Sequence, residues 1–182
     1  YSTYEDTARE EVYEELGLDR RPESELRFVR YHLISKGGSY QKTAAYLYTL
    51  TTEEQKQVER NRIELERIKS GMTREEFIRY LRGEAKKREG FGETLGIYPV
   101  SLDRLLNPVR MGDQIGLMVK EPFRGEGNDE EFAYYTPDLL QKFVEDKDWR
   151  DLIIRYSQER THSSSPLSSP IAFGSLVTTI SY

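Results

Sequence analysis

The clearest amphipathic pattern in the chain lies near its start, in residues 4–18. Ala8, Val12 and Leu16 recur at helical spacing and form one narrow apolar stripe. Residues typical of a helix start precede the stripe, namely Ser2 or Thr3 with Glu5 or Asp6 three positions later. Gly17 follows the last apolar position, where a left-handed helix end is favoured. The pattern predicts a capped helix that ends at this glycine.

Two apolar stretches after this helix have strand composition. Residues 26–35 and 42–50 are rich in β-branched and aromatic types. A Lys-Gly-Gly-Ser turn over 36–39 separates them. Because the connection is short, we expect an antiparallel hairpin.

Charge dominates the next segment, residues 52–88. A helix is predicted from Thr52 to residue 70, and a second helix begins at the Thr73/Glu76 capping box and runs to about Lys87. Together they are interpreted as a helical insertion. It is either a solvated spacer or lid, or an arm that binds RNA or a protein partner through a basic end, formed by Arg79, Arg82, Lys86, Lys87 and Arg88.

Shorter signals follow in the second half of the chain. Strands are predicted at 95–100 and 114–119, with a short helix between them that is capped by Ser101. A Thr-Pro-Asp helix start at 136 opens a broken C-terminal helix that reaches about residue 158. Three aromatic residues of this half could stack on a base, although core packing is the simpler explanation; they are Tyr98, Phe123 and Tyr134.

The end of the chain changes composition. Residues 161–170, THSSSPLSSP, predict a flexible linker, and residues 171–182 have the composition of a strand that needs a sheet edge. The predicted organisation is therefore a domain over 1–160, a linker and a terminal strand-like segment.

Composition narrows the function classes. The net charge is −5 and the sequence pI about 5.3, so the whole surface is not a nucleic-acid-binding one. The chain has no cysteine, which excludes disulfides, thiolate metal sites and a cysteine nucleophile, and which fits an intracellular, reducing compartment such as the cytoplasm or an organelle. No apolar run approaches the roughly 18 residues that span a bilayer, and we expect no membrane partner.

The first helix carries the main candidate chemistry. Glu11, Glu14 and Glu15 are related as i, i+3 and i+4, so they lie side by side and repel one another. Such a group is either a solvated acidic face or a site for a hard divalent cation, which prefers carboxylate oxygens.

The same residues carry a resemblance to a known family. EEVYEELGL, residues 10–18, resembles the second half of the Nudix box, R-E-U-x-E-E-x-G-U, in which U is bulky and aliphatic. Glu11 matches the first glutamate, Glu14 and Glu15 the glutamate pair, and Gly17 the glycine. Two positions differ from the family pattern: Glu10 stands where the family has arginine, and the upstream half of the box is missing, as expected of an N-terminally incomplete fragment.

The resemblance to the Nudix hydrolase superfamily implies an α/β fold, an α/β/α sandwich with a mixed sheet that here has a helical insertion. It implies Mg²⁺ or Mn²⁺ bound by Glu11, Glu14 and Glu15, with Glu15 or Glu89 as the base that activates water. Glu93 is the second choice for a loop glutamate. The expected reaction is hydrolysis of a nucleoside diphosphate derivative (NDP-X) or of an RNA 5′ end.

Two other interpretations stay open. The arginine-to-glutamate change at Glu10 favours a catalytically weakened Nudix-fold subunit that binds or supports a larger, RNA-associated complex. Without the resemblance, the chain is a structural α+β protein with an acidic surface helix.

Overall fold

A computed structural model describes residues 3–23, 26–36, 38–83, 96–101, 103–104, 107–127, 129–134, 146–148, 150–152, 154–155 and 158. The helices and strands, in chain order, are α1 (Tyr4–Leu16), β1 (Leu26–Lys36), β2 (Ser39–Tyr48), α2 (Thr52–Ser70), α3 (Arg74–Gly83), β3 (Val109–Met111), β4 (Gln114–Lys120) and β5 (Glu130–Tyr134). Residues 147–148, 150–152, 154–155 and 158 are also helical. The described residues thus have mixed α/β character, with helices and two small antiparallel sheets.

All three of these helices begin at a Thr-x-x-acid capping box, in which a threonine hydroxyl and an acidic side chain each accept a hydrogen bond from the other residue's backbone N–H. The pairs are Thr3 with Asp6, Thr51 with Glu54, and Thr73 with Glu76. The first and third boxes confirm the sequence prediction. Helix α2 is capped by Thr51, one position before the predicted start. The hydrogen bonds from Thr3 hold the pKa of Asp6 below its usual value.

Helix α1 ends at Gly17, as predicted. This glycine has φ 62° and ψ 41°, a left-handed conformation that L-residues with a side chain adopt at a cost. The N–H of Leu18 then donates to the carbonyl of Tyr13 at 3.1 Å, which satisfies a carbonyl that the helix end leaves free. The turn directs Leu18 into a buried cluster with Leu16 and Leu50.

The predicted antiparallel hairpin is confirmed as β1–β2. Its register runs from Leu26 opposite Tyr48 to Lys36 opposite Ser39, and it shifts between Phe28 and Arg30, where β1 carries one extra residue. Strand β2 begins earlier than predicted, at Ser39. Within the described residues the two strands pair with each other and with no further strand.

The second sheet has the order β3–β4–β5. Its central strand, β4, confirms the predicted strand at 114–119, and it buries Ile115, Leu117 and Val119. The short outer strands were not predicted. The strand prediction at 95–100 was wrong for residues 96–100, which pair with none of the described strands. Ile97 and Tyr98 instead contact side chains of the second cluster and of α2.

Helix α2 contributes to two clusters of buried side chains in the described part of the chain. Val58 packs against the first cluster, which contains Leu16. Leu65 belongs to the second cluster, together with Phe77, Leu81 and Phe123. The amide of Asn61 donates to the carbonyls of Leu16 at 2.9 Å and Gly17 at 2.7 Å, and so fastens α2 to the end of α1. Helix α2 therefore packs against other described elements at both of these places, and the interpretation of 52–88 as an insertion stays a prediction.

Several sequence predictions concern residues outside the described ranges. These are Lys86, Lys87 and Arg88 of the basic end, the start of the C-terminal helix at 136–144, the linker at 161–170 and the strand-like segment at 171–182. Among the described residues, none of the helices combines the length and the apolar composition needed to cross a bilayer.

The left-handed helix end predicts a clear effect for Gly17→Ala. A Cβ at φ 62° is strained, so we expect the free energy of unfolding to fall by about 1 kcal/mol. The matched control is Gly71→Ala at the end of α2, where φ is −86° and the added Cβ makes an ordinary contact of 3.6 Å with the Ile68 carbonyl. This control should be neutral or stabilising by about 0.5 kcal/mol. Urea denaturation measures both free energies of unfolding. Equal effects of the two substitutions would contradict the left-handed conformation of Gly17.

Candidate functional site

The acidic face of α1 is the site that the sequence singles out. Glu11 and Glu14 are exposed, and Glu15 is half-buried. The helix that carries them is fixed at both ends, by the Thr3 capping box and by Gly17. The three carboxylates therefore sit on a rigid element, next to the apolar stripe that packs on the first cluster.

Arginine side chains near α1 fasten the following connector to the helix. Arg21 lies with its Nε 3.5 Å from the Glu10 carboxylate, and its Nη2 donates to the carbonyl of Asp6 at 2.9 Å. Arg9 donates to the carbonyl of the buried Pro22 at 3.0 Å. Glu10, at the position of the family arginine, is thus charge-compensated by Arg21 from outside the helix.

The predicted metal ligands have suitable donor chemistry, because three carboxylates suit Mg²⁺ or Mn²⁺. In the part of the chain that the structure describes, however, no group of three or more His, Cys, Asp or Glu side chains is placed to hold one metal ion. Glu11, Glu14 and Glu15 all belong to that part. Glu89 and Glu93 lie outside it. The assignment of these ligands therefore stays a prediction.

A second group of ionisable side chains, which the sequence did not reveal, lies inside the protein. Lys69 near the end of α2 is only 2% exposed. Its ammonium lies 2.9 Å from the Glu121 carboxylate and 3.5 Å from the Tyr98 hydroxyl. Tyr98 in turn donates to the other carboxylate oxygen of Glu121. The aromatic rings of Phe77, Tyr98 and Phe123 have their centres 5.4–5.5 Å from the same ammonium.

Burial and charge act on Lys69 in opposite directions. Removal from water lowers the pKa of its ammonium, and the Glu121 carboxylate raises the pKa in part. Gly96 lets the backbone pass close to the pair, since a Cβ there would lie 2.8 Å from Lys69 Nζ. The ring faces and hydrogen bonds supply the contacts that an ammonium loses on burial.

The loop after β4 is fastened to the α2–α3 turn around this buried pair. The backbone N–H of Arg124 donates to the Met72 carbonyl at 2.8 Å, and its guanidinium donates to Glu76 at 2.8 Å. The Arg74 guanidinium lies 2.9 Å from Glu126 and 4.7 Å from the centre of the Phe123 ring. These contacts hold the loop that carries Glu121 and Phe123 against α2 and α3, so we assign the buried group a structural role.

The same contacts show how two of the three candidate base-stacking residues are used. Phe123 is buried in the second cluster, and Tyr98 is half-buried and bonded to Glu121. Both belong to the core. The side chain of Tyr134 lies outside the described part of the structure.

Comparison with protein-family models, with curated proteins and with solved structures finds no match for this chain. The functional interpretation therefore depends on the residues themselves.

The buried pair predicts a strong effect for Glu121→Gln. This change leaves the Lys69 ammonium without its counter-charge in a buried site, and we expect a loss of about 3 kcal/mol in the free energy of unfolding. The double variant Lys69→Met/Glu121→Gln should lose less, because it removes the buried charge as well. The control is Glu64→Gln, because the partner of Glu64, Arg67, is exposed. Loss of this ion pair should cost no more than about 0.5 kcal/mol. A Glu121→Gln loss as small as that of the control would contradict the assignment.

Proposed function

We propose that the chain is a Nudix-type domain that acts as a binding subunit of a larger, RNA-associated assembly, with weakened catalytic chemistry on α1. The order of elements supports the family part of the proposal. A helix with the EEVYEELGL sequence ends at a left-handed Gly17 and is followed by an antiparallel hairpin. This is the order that the resemblance implies, and the proposed fold is the Nudix α/β/α sandwich.

One observation carries the proposed loss of catalysis, namely the ion pair between Glu10 and Arg21. Where the resemblance implies an arginine that orients the metal-binding carboxylates, this chain has a fourth carboxylate beside Glu11. Arg21, which compensates it, also bonds to Asp6 and so fastens the connector to α1. A cation used in this way stabilises the fold of the helix and its connector.

The second candidate is a Nudix-type, metal-dependent pyrophosphohydrolase that acts on an NDP-X substrate or an RNA 5′ end. The exposure of Glu11 and Glu14 on a helix fixed at both ends favours it, because such carboxylates are accessible to a cation. Mg²⁺ or Mn²⁺ would be the cofactor, and Glu15 or Glu89 the catalytic base.

Turnover separates the two candidates. The full-length chain is incubated with Mg²⁺ or Mn²⁺ and ADP-ribose, dinucleoside polyphosphates or capped RNA, and product is measured against a metal-only blank. A binding subunit should show no turnover above that blank. The variant Glu10→Arg puts back the residue that the resemblance implies and so tests the role of Glu10 directly. If Glu10 weakens the site, this variant should gain metal-dependent turnover.

A matched pair of variants tests whether any turnover comes from the carboxylates of α1. Turnover by the unaltered chain that is lost in Glu14→Gln/Glu15→Gln, but kept in Glu53→Gln on the exposed face of α2, would establish the hydrolase and overturn the proposed loss of catalysis. The same variants are compared by thermal denaturation with and without Mn²⁺.

A further inference from the structure

The β1–β2 hairpin and the start of α1 expose a group of aromatic rings. Tyr4, Phe28 and Tyr31 are each 46–48% exposed. The ring centres of Phe28 and Tyr31 lie 4.9 Å apart, and Tyr46 on β2 lies 5.6 Å from Phe28. The ring of Tyr4 meets that of Tyr31 at 5.6 Å. We call these four residues the aromatic surface. Large exposed rings in contact with one another are typical of interaction sites.

The charge of the hairpin is unusual for this chain. Residues 26–48 contain four Lys or Arg residues and no Asp or Glu, whereas the remaining residues contain 23 Lys or Arg against 32 Asp or Glu. A positively charged element therefore stands within an acidic protein. The partner that it selects is an anionic one.

Lys42 joins this charge to the rings. Its ammonium lies 3.9 Å from the centre of the Tyr31 ring. Glu5, which follows Tyr4 in α1, is ion-paired with Arg9 at 2.6 Å. The aromatic surface thus combines ring faces with a cation, while a nearby acid is compensated.

We infer that the aromatic surface of the hairpin binds single-stranded nucleic acid, with bases stacked on its rings and phosphates attracted by Lys42. Aromatic rings beside positive charge on a sheet are the combination that single-strand binding proteins use. An 11-residue strand spans about 36 Å at about 3.3 Å per residue, which is sufficient for several nucleotides. The inference gives the binding role proposed above a partner class and rests on that role, but not on the Nudix resemblance or on a metal at α1.

Fluorescence anisotropy with the full-length chain tests the inference. The probes are a labelled oligouridine and a labelled oligothymidine of about 12 nucleotides, with a duplex of equal length as reference. EDTA is present throughout, and potassium chloride is raised from about 50 to about 200 mM. We expect both single strands to bind, the duplex to bind more weakly, and affinity to fall as salt rises.

Two variants separate stacking from charge. Phe28→Leu keeps an apolar side chain but removes the ring, and we expect it to weaken single-strand binding about tenfold with little change in salt dependence. Lys42→Gln should weaken binding of both single-stranded probes. It should also make the fall of log affinity with log salt less steep, by about 0.7 in slope. The control is Lys56→Gln, an equal charge change at an exposed lysine of α2 that is not part of the hairpin, which should leave binding unchanged.

Each variant is first shown to retain the unaltered melting temperature, and a cross-linked oligonucleotide is mapped to peptides of residues 26–48. Equal binding of duplex and single strand, equal effects of Lys42→Gln and Lys56→Gln, or no binding at low salt would each overturn the inference. The outcomes are distinct from those of the turnover assay. Turnover together with metal-free oligonucleotide binding contradicts only the proposed loss of catalysis, and absence of both contradicts only the partner class.

Discussion

The burial of helix α2 at two separate places is the constraint on which the described structure depends. Its 19 residues span about 28 Å, enough for one helix to take part in both buried clusters. Val58 and Asn61 connect it to the end of α1, and Leu65 and Lys69 connect it to α3 and Phe123. The helix has few apolar residues, so its position is set by these contacts and its surface is stabilised by ion pairs such as those of Arg62 with Glu59 and Glu66.

Lys69 shows how a charge can specify packing that apolar residues alone leave open. An apolar side chain at this position would fill the same space between the rings of Phe77 and Phe123 without selecting a partner. The ammonium requires one, and it is met by Glu121, 52 residues later, and by Tyr98. A buried ion pair contributes little net stability, but breaking it is costly, so it favours the one arrangement in which both charges are satisfied.

Signals that act within a few residues could be predicted from the sequence. The Thr3–Asp6 and Thr73–Glu76 boxes and the glycine helix end depend on spacing alone, and so does the hairpin, whose turn joins two apolar stretches. The Lys69–Glu121 pair could not be predicted, because each residue looks like one more surface charge in a chain that is 32% charged. Strands β3 and β5 are only three and five residues long, too short for a clear sequence pattern, and their pairing with β4 defines them. Residues 96–100 have strand composition, but Tyr98 is bonded to Glu121.

The same limit applies to the candidate sites. The acidic face of α1 is a local pattern, and the sequence therefore found it, but whether three carboxylates converge depends on side-chain conformations that spacing does not specify. The rings of the aromatic surface come from α1, β1 and β2, which are brought into contact only when the chain folds. A net charge of −5 conceals the contrast between the two elements, because α1 carries six acidic residues and one arginine while the hairpin carries only cations. Because the acidic and basic residues lie on different elements, each surface favours partners of opposite charge, which the net charge of the whole chain does not show.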